Sequence, residues 1–168
     1  NLNASQVRQD FNCFGGFGQQ GYGYNVSNLT GEIKRIMGID RKHTIIIVGA
    51  GNIGHALTNF PGFAETGFEV KALFDVNEDL IGTEIKGHPV LDVKDMDEYI
   101  RENQIDIGVI AARRSAAQEI ADRMCAAGIR GIWNFVPLDI TTSVPIENVH
   151  LSESLSTLSY KIEHGLLD

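Results

Sequence analysis

The hydrophobic pattern of the chain from residue 43 onward alternates between two periods. Short apolar runs typical of buried strands alternate with segments whose apolar residues recur every three or four positions, as on one face of a helix. After a first strand in HTIIIV, the predicted strands are 68–75, a short pair near 84–91, 105–112 and 130–135, and the predicted helices are 94–103 and 115–127. This alternation predicts an α/β fold, a parallel sheet with helices on both faces.

The segments before residue 43 have a different pattern. NLNASQVRQDF has the composition of a helix already under way, and residues 14–25 combine glycine and aromatic residues in a way that predicts a hairpin-like loop. In VSNLTGEIKRIMGI, apolar residues recur at helical spacing up to Met37, and Gly38 closes the segment. We therefore expect an amphipathic helix that links an N-terminal piece to the main domain.

The end of the chain predicts one more helix. Residues 139–150 are rich in turn formers and end in a short possible strand, and SESLSTLSYKIEHGLL follows them. The apolar stripe of this helix is Leu151, Leu155, Leu158, Ile162 and Leu166. A stripe of this kind has to be buried, and we expect a second copy of the chain to cover it by exchange of the terminal helix.

Composition narrows the class of protein. The chain has 168 residues, 43% of them apolar, which suits one domain with a short appendage, and no apolar run approaches the roughly 18 residues of a membrane-spanning helix. A formal net charge of −8 at pH 7 makes the chain by itself a poor binder of nucleic acid. The two cysteines, Cys13 and Cys125, and the lack of a signal-peptide pattern predict a cytoplasmic protein with ordinary thiols.

The candidate chemistry lies in GAGNIG, where Gly49, Gly51 and Gly54 satisfy the pattern GxGxxG. Because the motif follows a predicted strand and opens a helix, it indicates a Rossmann-type turn that lets a pyrophosphate approach the backbone. Asp75 ends the next strand 21 residues after Gly54, where a carboxylate binds the adenosine ribose. Residues 76–79 contain no Arg to accept a 2′-phosphate, so the pattern predicts NAD or NADH rather than NADP.

The sequence lacks the features of a dehydrogenase active site. Its five histidines are scattered without metal-ligand spacing, and only the terminal helix follows the nucleotide-binding region, so we expect no catalytic residue and no metal site. Arg113 and Arg114 follow a predicted strand and could reach a ligand there, but an exposed pair at a helix start is the favoured interpretation. An NAD-dependent reductase subunit and a CoA-binding module are the alternatives, and Asp75 suits NAD better than a 3′-phosphorylated CoA.

Several short stretches, taken together, match a known family along nearly the whole chain. They are SQVRQDF, FGGFGQQGYGYNV, EIKRIMGI, VGAGNIGHAL, FPGF, LFDV, AAQEIAD, AAGIRGIWNFVP and the Leu-rich terminal helix. In this set the chain resembles the Rex family of redox-sensing transcriptional repressors. The resemblance implies a homodimer in which an N-terminal winged helix binds operator DNA, a Rossmann domain senses NADH against NAD⁺, and the terminal helix swaps onto the partner subunit. It also implies that NADH releases the DNA.

The same resemblance implies an assignment of segments and site residues. Residues 1–25 would be the remnant of the winged helix, with its recognition helix and wing, 26–42 a linker helix, 43–150 the NAD(H)-binding domain and 151–168 the swapped helix. We expect a further segment with a basic helix-turn-helix pattern to precede them. The expected cofactor-binding residues are Gly49, Ala50, Gly51, Asn52, Ile53, Gly54, Asp75 and Ala112, with Asn134, Phe135 and Pro137 as pocket wall, and the expected DNA-facing residues are Ser5, Gln6 and Arg8.

The chain departs from the family pattern at a few positions. Gln19 and Gln20 stand where relatives usually carry a Lys-Arg pair, and Ala112 and Arg113 stand where relatives tend to have Val-Pro. Phe60 replaces an aromatic residue that is often Tyr, and His150 replaces an aspartate before the swapped helix. We expect the polar contact that relatives draw between these last two positions to be altered in this chain.

Overall fold

The chain divides into two units, Asn1–Lys42 and His43–Asp168, in a computed structural model that describes residues 23–165 together with Gln9, Gly18 and Gln19. In the first unit, β1 (Gly18–Gln19) pairs antiparallel with β2 (Gly23–Tyr24), where the glycine-rich segment predicts a hairpin. The helix α1 (Val26–Ile36) follows directly.

The start of α1 is fixed by its capping residue. The Asn28 N–H donates a hydrogen bond of 3.1 Å to the side-chain oxygen of Asn25, which stands in extended conformation just before the helix. Such a bond satisfies one of the backbone N–H groups that a helix leaves unpaired at its start. Lys34 and Arg35 lie in the last turn, where positive charge stabilises the negative end of the helix dipole.

The second unit is built on a seven-stranded sheet. Its strands are β3 (His43–Val48), β4 (Phe68–Asp75), β5 (Glu84–Ile85), β6 (His88–Asp92), β7 (Ile107–Ile110), β8 (Gly131–Asn134) and β9 (Ile146–Asn148). The order across the sheet is β5-β6-β4-β3-β7-β8-β9, and every neighbouring pair is parallel except β5 with β6. The parallel strands follow the order of a Rossmann fold. The predicted α/β fold is therefore confirmed.

Helices connect most of the parallel strands. They are α2 (Asn52–Thr58), α3 (Gly62–Glu65), α4 (Met96–Asn103) and α5 (Ala117–Ala127), with 3₁₀ turns at Val93–Asp95 and Arg114–Ala116 before α4 and α5. One more helix, α6 (Leu151–Glu163), follows β9. Residues 76–87 connect β4 to β6 through turns and the short strand β5.

Two apolar layers cover the faces of the sheet. On β3, Ile46 and Val48 belong to the layer that contains the apolar residues of α4 and α5, whereas Ile45 and Ile47 belong to the opposite layer. Each of these four side chains is at most 2% exposed, which explains why the strand is an uninterrupted apolar run. Burying one such side chain stabilises the fold by about 1.5–3 kcal/mol.

The strand predicted at 105–112 is shorter in the structure. Gln104 adopts a left-handed conformation with a φ of +50°, and the Ile105 N–H turns back to donate to the Ile100 carbonyl at 3.2 Å. The first residue of the apolar run therefore closes α4, and β7 covers only Ile107–Ile110. The last residues of the predicted strand, 111 and 112, line a cleft instead.

Candidate functional site

A cleft of about 690 Å³ opens at the carboxyl edge of the parallel sheet. Its base is the turn after β3, and its two walls are the segments that follow β4 and β7, the neighbours of β3 on either side. From β3 the chain builds the sheet first in one direction and then, beginning with β7, in the other. Open α/β sheets bind ligands at this change of direction, and the volume suits a small molecule.

The glycines of the turn have different structural roles. Gly49 has a φ of +107°, which side chains rarely adopt, and a Cβ there would collide with the Ala111 carbonyl oxygen. A Cβ on Gly54 would collide with the Gly49 carbonyl oxygen, so these two glycines are required by the fold itself. Nothing lies within 4 Å of the position that a Cβ on Gly51 would take. The backbone at Gly51 is therefore open to a ligand in the cleft.

Asp75 connects the end of β4 to the glycine turn. Its Oδ2 accepts a hydrogen bond of 2.7 Å from the Ala50 N–H, and its Oδ1 accepts bonds of 2.8 and 2.9 Å from the Val76 and Asn77 N–H groups. These bonds orient the carboxylate, which is half-buried at the cleft. A carboxylate has about four acceptor positions, and these three bonds leave Asp75 one position to accept a bond from a ligand hydroxyl.

Most of the remaining cleft residues come from the two walls, and Val93, which follows β6, also lines the cleft. The wall after β4 contributes Val76, Asn77 and Leu80, and the wall after β7 includes Ala112 and Arg113. The cleft thus combines apolar side chains with one carboxylate and one guanidinium.

Arg113 is a cleft residue that the sequence pattern did not assign to the site, since it favoured an exposed pair at a helix start. It is exposed and lines the cleft that Asp75 also lines, whereas Arg114, which is also exposed, is not part of the cleft. Residues 76–79 contain no Arg, so the cation near Asp75 comes from a segment far along the chain. Because β4 and β7 flank β3, the residues that follow these two strands lie at the same edge of the sheet. A prediction of this strand order would have placed Arg113 near Asp75.

Asn134, predicted as pocket wall, is not among the residues that line the cleft. It is fully buried, and its side-chain nitrogen donates to the Val136 and Leu138 carbonyls and to the Asn148 side chain at 2.9–3.1 Å. Its side-chain oxygen accepts from the Val136 N–H at 2.9 Å. Buried amide groups require such partners, and Asn134 therefore fixes the loop after β8.

Phe135 and Pro137, also predicted as pocket wall, lie outside the cleft as well. The ring of Phe135 packs edge-on against Trp133, with 4.6 Å between centroids, and Trp133 contacts Phe63 in turn. These rings belong to the apolar layer that includes Ala50, and Pro137 is exposed. Phe135 thus lies on the face of the sheet opposite the layer formed by α4 and α5.

The other predicted residues are distributed as follows. Ala50, Asn52, Ile53 and Gly54 form the turn and the first residues of α2 without lining the cleft. Phe60 is 57% exposed and contacts Phe63 at 5.2 Å between ring centroids, and the Nδ1 of His150 lies 3.8 Å from a Glu153 carboxylate oxygen. Ser5, Gln6, Arg8, Gln20 and Cys13 lie outside the described residues.

The terminal helix α6 leaves its apolar residues uncovered. Leu155, Leu158 and Ile162 are 68, 52 and 68% exposed, and Tyr160 is 58% exposed. The side chains of Leu151 and Leu166 lie outside the described part of the chain. An exposed patch of this kind on an amphipathic helix is typical of an interaction surface.

The amino edge of the sheet carries a cluster of charges. An Asp106 carboxylate oxygen lies 2.6 Å from Arg130 Nη1, and the other oxygen accepts a 3.2 Å bond from the Thr44 N–H and lies 3.6 Å from His43 Nδ1. Burial opposes ionisation of Asp106, but the bonds from Arg130 and Thr44 outweigh it and lower the pKa of this carboxyl. The cluster ties together the starts of β3, β7 and β8.

Metal-binding clusters and membrane-spanning helices are both absent from the described part of the chain. No group of three or more His, Cys, Asp or Glu side chains there is placed to hold a metal ion. Among residues 23–165, with Gln9, Gly18 and Gln19, no helix has the length and apolar character needed to cross a membrane.

The sheet order and the cleft define a nucleotide-binding domain of the Rossmann type. Residues 40–138 match the family model described as CoA binding domain, and this part of the chain belongs to that family. Over 164 residues the chain is 52% identical to the redox-sensing transcriptional repressor Rex of Clostridioides difficile strain 630, which covers 96% of this chain and 78% of that protein. The chain belongs to the Rex family of redox-sensing transcriptional repressors. The predicted resemblance is confirmed, and with it the prediction of a regulator rather than an enzyme.

Solved structures show the same relationship. The structure of RSP in complex with β-NAD⁺ and operator DNA superposes with a TM-score of 0.92 at 47% identity, covering 98% of this chain and 76% of that one. The structure of RSP in complex with β-NADH superposes with a TM-score of 0.85 at 43% identity, covering 98% and 77%. In this family, then, a chain of the same fold binds both forms of the dinucleotide.

Proposed function

We propose that this protein is a repressor that binds NADH and NAD⁺ in the cleft at the carboxyl edge of the sheet and releases operator DNA when NADH binds. One observation supports this function above all: the open backbone at Gly51 and the oriented carboxylate of Asp75 line the same cleft. The relative RSP, of the same fold, is found with NAD⁺, NADH and operator DNA. The protein acts where such DNA and NADH occur, in the cytoplasm.

The residues of the cleft fit a dinucleotide group by group. The turn from Gly49 to Gly51 has space for a pyrophosphate close to the backbone, because no atom occupies the region beside Gly51. Asp75 keeps one acceptor position for a hydroxyl of the adenosine ribose. Ala112 is a small residue in the wall after β7. Ala50, Asn52, Ile53 and Gly54 shape the turn and α2.

Phe135, which lies beyond the cleft, would contact the nicotinamide end of a bound cofactor. The bound cofactor supplies a ring that is cationic in NAD⁺ and neutral in NADH. Phe135 belongs to an apolar layer with Trp133 and Ala50, and an apolar environment disfavours an unpaired positive charge. We therefore expect NADH to bind at least about tenfold more tightly than NAD⁺, which corresponds to roughly 1.4 kcal/mol.

The segments outside the sheet complete the repressor. Residues 1–25 belong to the part of the repressor that binds operator DNA, with Ser5, Gln6 and Arg8 as its proposed DNA contacts, and 26–42 link it to the NAD(H)-binding domain, 43–150. Residues 151–168 swap onto a partner subunit of the same chain, because Leu155, Leu158 and Ile162 form an apolar stripe that this chain leaves exposed.

Calorimetric titration with NADH, NAD⁺ and CoA tests the cofactor. NADH should bind most tightly, and CoA should neither bind at comparable concentration nor displace NADH. For DNA, duplexes selected from a randomised pool on the NAD⁺-loaded full-length protein should dissociate when NADH is added. Equal affinity for NADH and NAD⁺, or DNA binding that NADH strengthens, contradicts the proposed sensor. Tight CoA binding with no response to NADH would favour a CoA-binding module instead.

Sedimentation of a chain truncated after Val149 tests the dimer. The full chain should sediment as a dimer and the truncated chain as a monomer, since the truncation removes α6 and leaves the sheet intact. A truncated protein that remains a tight dimer contradicts the swap. A full-length variant with Leu155 and Leu158 both changed to Gln keeps the helix and should dissociate in the same way.

A further inference from the structure

Arg113 lines the cleft, and its side chain is free to contact a ligand there. It follows β7 with extended backbone (φ −68°, ψ 143°), and its side chain is exposed. In the part of the chain that the structure describes, its guanidinium enters no ion pair or hydrogen bond. Arg114, its neighbour, does not line the cleft. Only one cation of the pair therefore faces the site.

The surroundings of Arg113 are largely apolar. Val76, Leu80 and Val93 line the same cleft, and Ala116 and Ile120 line it beside Arg113. Asn77 and Ser115 also line the cleft and carry hydrogen-bond donors, but the apolar side chains suit an aromatic base better than a charged phosphate. A planar guanidinium stacks well on an aromatic ring.

Asp75 determines whether Arg113 can bind a ribose phosphate or the adenine base. The carboxylate lines the same cleft, and its orientation is held by three backbone N–H groups, so it cannot turn away from an incoming anion. A phosphate on the ribose next to it would be repelled. The base carries no charge and meets no such penalty.

We propose that Arg113 is a specificity-determining residue that stacks its guanidinium on the adenine of the bound dinucleotide. This inference rests on the proposed binding of NADH in this cleft and adds a contact to it. The apolar side chains of the wall after β4 cover the other face of the base. Arg113 thus recognises the adenosine end that NADH and NAD⁺ share, and it contributes equally to the affinity for both.

The test compares Arg113→Ala, Arg113→Lys and Arg114→Ala in the full chain by calorimetric titration with NADH, NADPH and AMP. Arg113→Ala should weaken NADH and AMP by about tenfold each. Arg113→Lys should recover only a small part of the loss, because an ammonium group lacks the planar face. Arg114→Ala is the matched control and should bind like the wild type. Circular dichroism checks that each variant folds, as expected for an exposed side chain.

The outcomes separate the contact from the function. If Arg113→Ala binds NADH as the wild type does, or if Arg113→Lys restores full affinity, stacking on adenine is wrong while NADH binding stands. If NADPH loses far more affinity than NADH, Arg113 binds a ribose phosphate instead of the base. If the wild type binds neither NADH nor NAD⁺, the proposed function fails and the contact fails with it.

Discussion

Two turns leave the carboxyl edge of the same sheet and use their polar groups in opposite ways. The turn after β3 keeps open space beside Gly51 and adjoins a cleft. The loop after β8 is closed on itself, because Asn134 bonds to Val136, Leu138 and Asn148 and is fully buried. Both turns follow a parallel strand, and a pattern of residue types along the chain does not separate them.

The difference lies in whether a polar group is satisfied inside the protein. A buried amide with all its partners in the protein stabilises the fold and has nothing left for a ligand. A backbone segment with free space beside it and an oriented carboxylate nearby can bind a ligand. A substitution at the open position of the first turn, Gly51, should therefore change ligand binding, and a substitution of Asn134 in the second should change stability.

The largest effect is expected for Gly49→Ala. The new residue would have to adopt a φ near +107°, and its Cβ would collide with the Ala111 carbonyl oxygen. Strain and collision together should lower the free energy of unfolding by at least about 3 kcal/mol. Urea unfolding followed by circular dichroism measures this loss. A variant as stable as the wild type would show that the turn is not held in this conformation.

Gly51 provides the matched comparison two residues away. Gly51→Ala meets nothing within 4 Å, so its free energy of unfolding should stay within about 1 kcal/mol of the wild type, the range for a helix N-cap. NADH affinity should nevertheless fall by at least about tenfold, because a side chain there fills the space expected for the pyrophosphate. Gly51→Ser, with a better cap, should restore stability but not affinity.

Asn134→Ala should have the next largest effect, on stability alone. The substitution leaves the Val136 N–H and the Leu138 carbonyl without the partners they have now. Unsatisfied buried groups should lower the free energy of unfolding by about 2–3 kcal/mol. NADH affinity, measured by calorimetry below the unfolding transition, should remain that of the wild type. A loss of affinity in the folded variant would mean that the Asn134 side chain itself contributes to cofactor binding.

The sequence predicted the elements of this sheet better than the contacts between them. The strand at 68–75 has the same bounds in the structure, because an apolar run flanked by turn residues carries its own signal. The strand predicted at 105–112 was too long, since Ile105 caps the preceding helix through a backbone bond to Ile100. Such a cap depends on the left-handed Gln104, which no hydrophobic period reveals.

The candidate site was only partly predictable from the sequence, because part of it depends on contacts between distant elements. Gly49, Gly51 and Asp75 form a motif of fixed spacing, and all three line one cleft in the structure. Arg113 shares that cleft through strand order, and Asn134 lies outside it through its own hydrogen bonds. Both facts depend on tertiary contacts, which spacing along the chain does not encode.

Asp75→Ala should weaken NADH binding by about 2 kcal/mol, since the ribose loses a charged acceptor. The variant also removes the 2.7 Å bond that orients the Ala50 N–H at the glycine turn. NADPH should lose less affinity than NADH, because the repulsion between the carboxylate and a 2′-phosphate disappears with the carboxylate. Titration of both cofactors measures the change in selectivity. Asp75→Asn keeps an acceptor for Ala50 and serves as the control for the turn itself.

At the amino edge of the sheet, a charged group is likewise satisfied by partners within the protein. Asp106 is bonded by Arg130 and Thr44 and has a lowered pKa. A carboxyl whose pKa is lower in the folded protein than in the unfolded chain stabilises the fold above its unfolded pKa. That stabilisation is lost as the pH falls through the folded pKa, that is, below about pH 4.

Asp106→Asn should therefore lower the free energy of unfolding by about 1 kcal/mol at pH 7, the scale of a partly exposed ion pair. The difference from the wild type should shrink as the pH falls below about 4, because the wild-type carboxyl is then protonated as well. Urea unfolding across that range measures it, and NADH affinity at pH 7 should not change. Asp139→Asn is the control, since Asp139 is exposed and has no ion pair within the described residues. A pH-independent difference would mean that Asp106 acts through packing rather than through its charge.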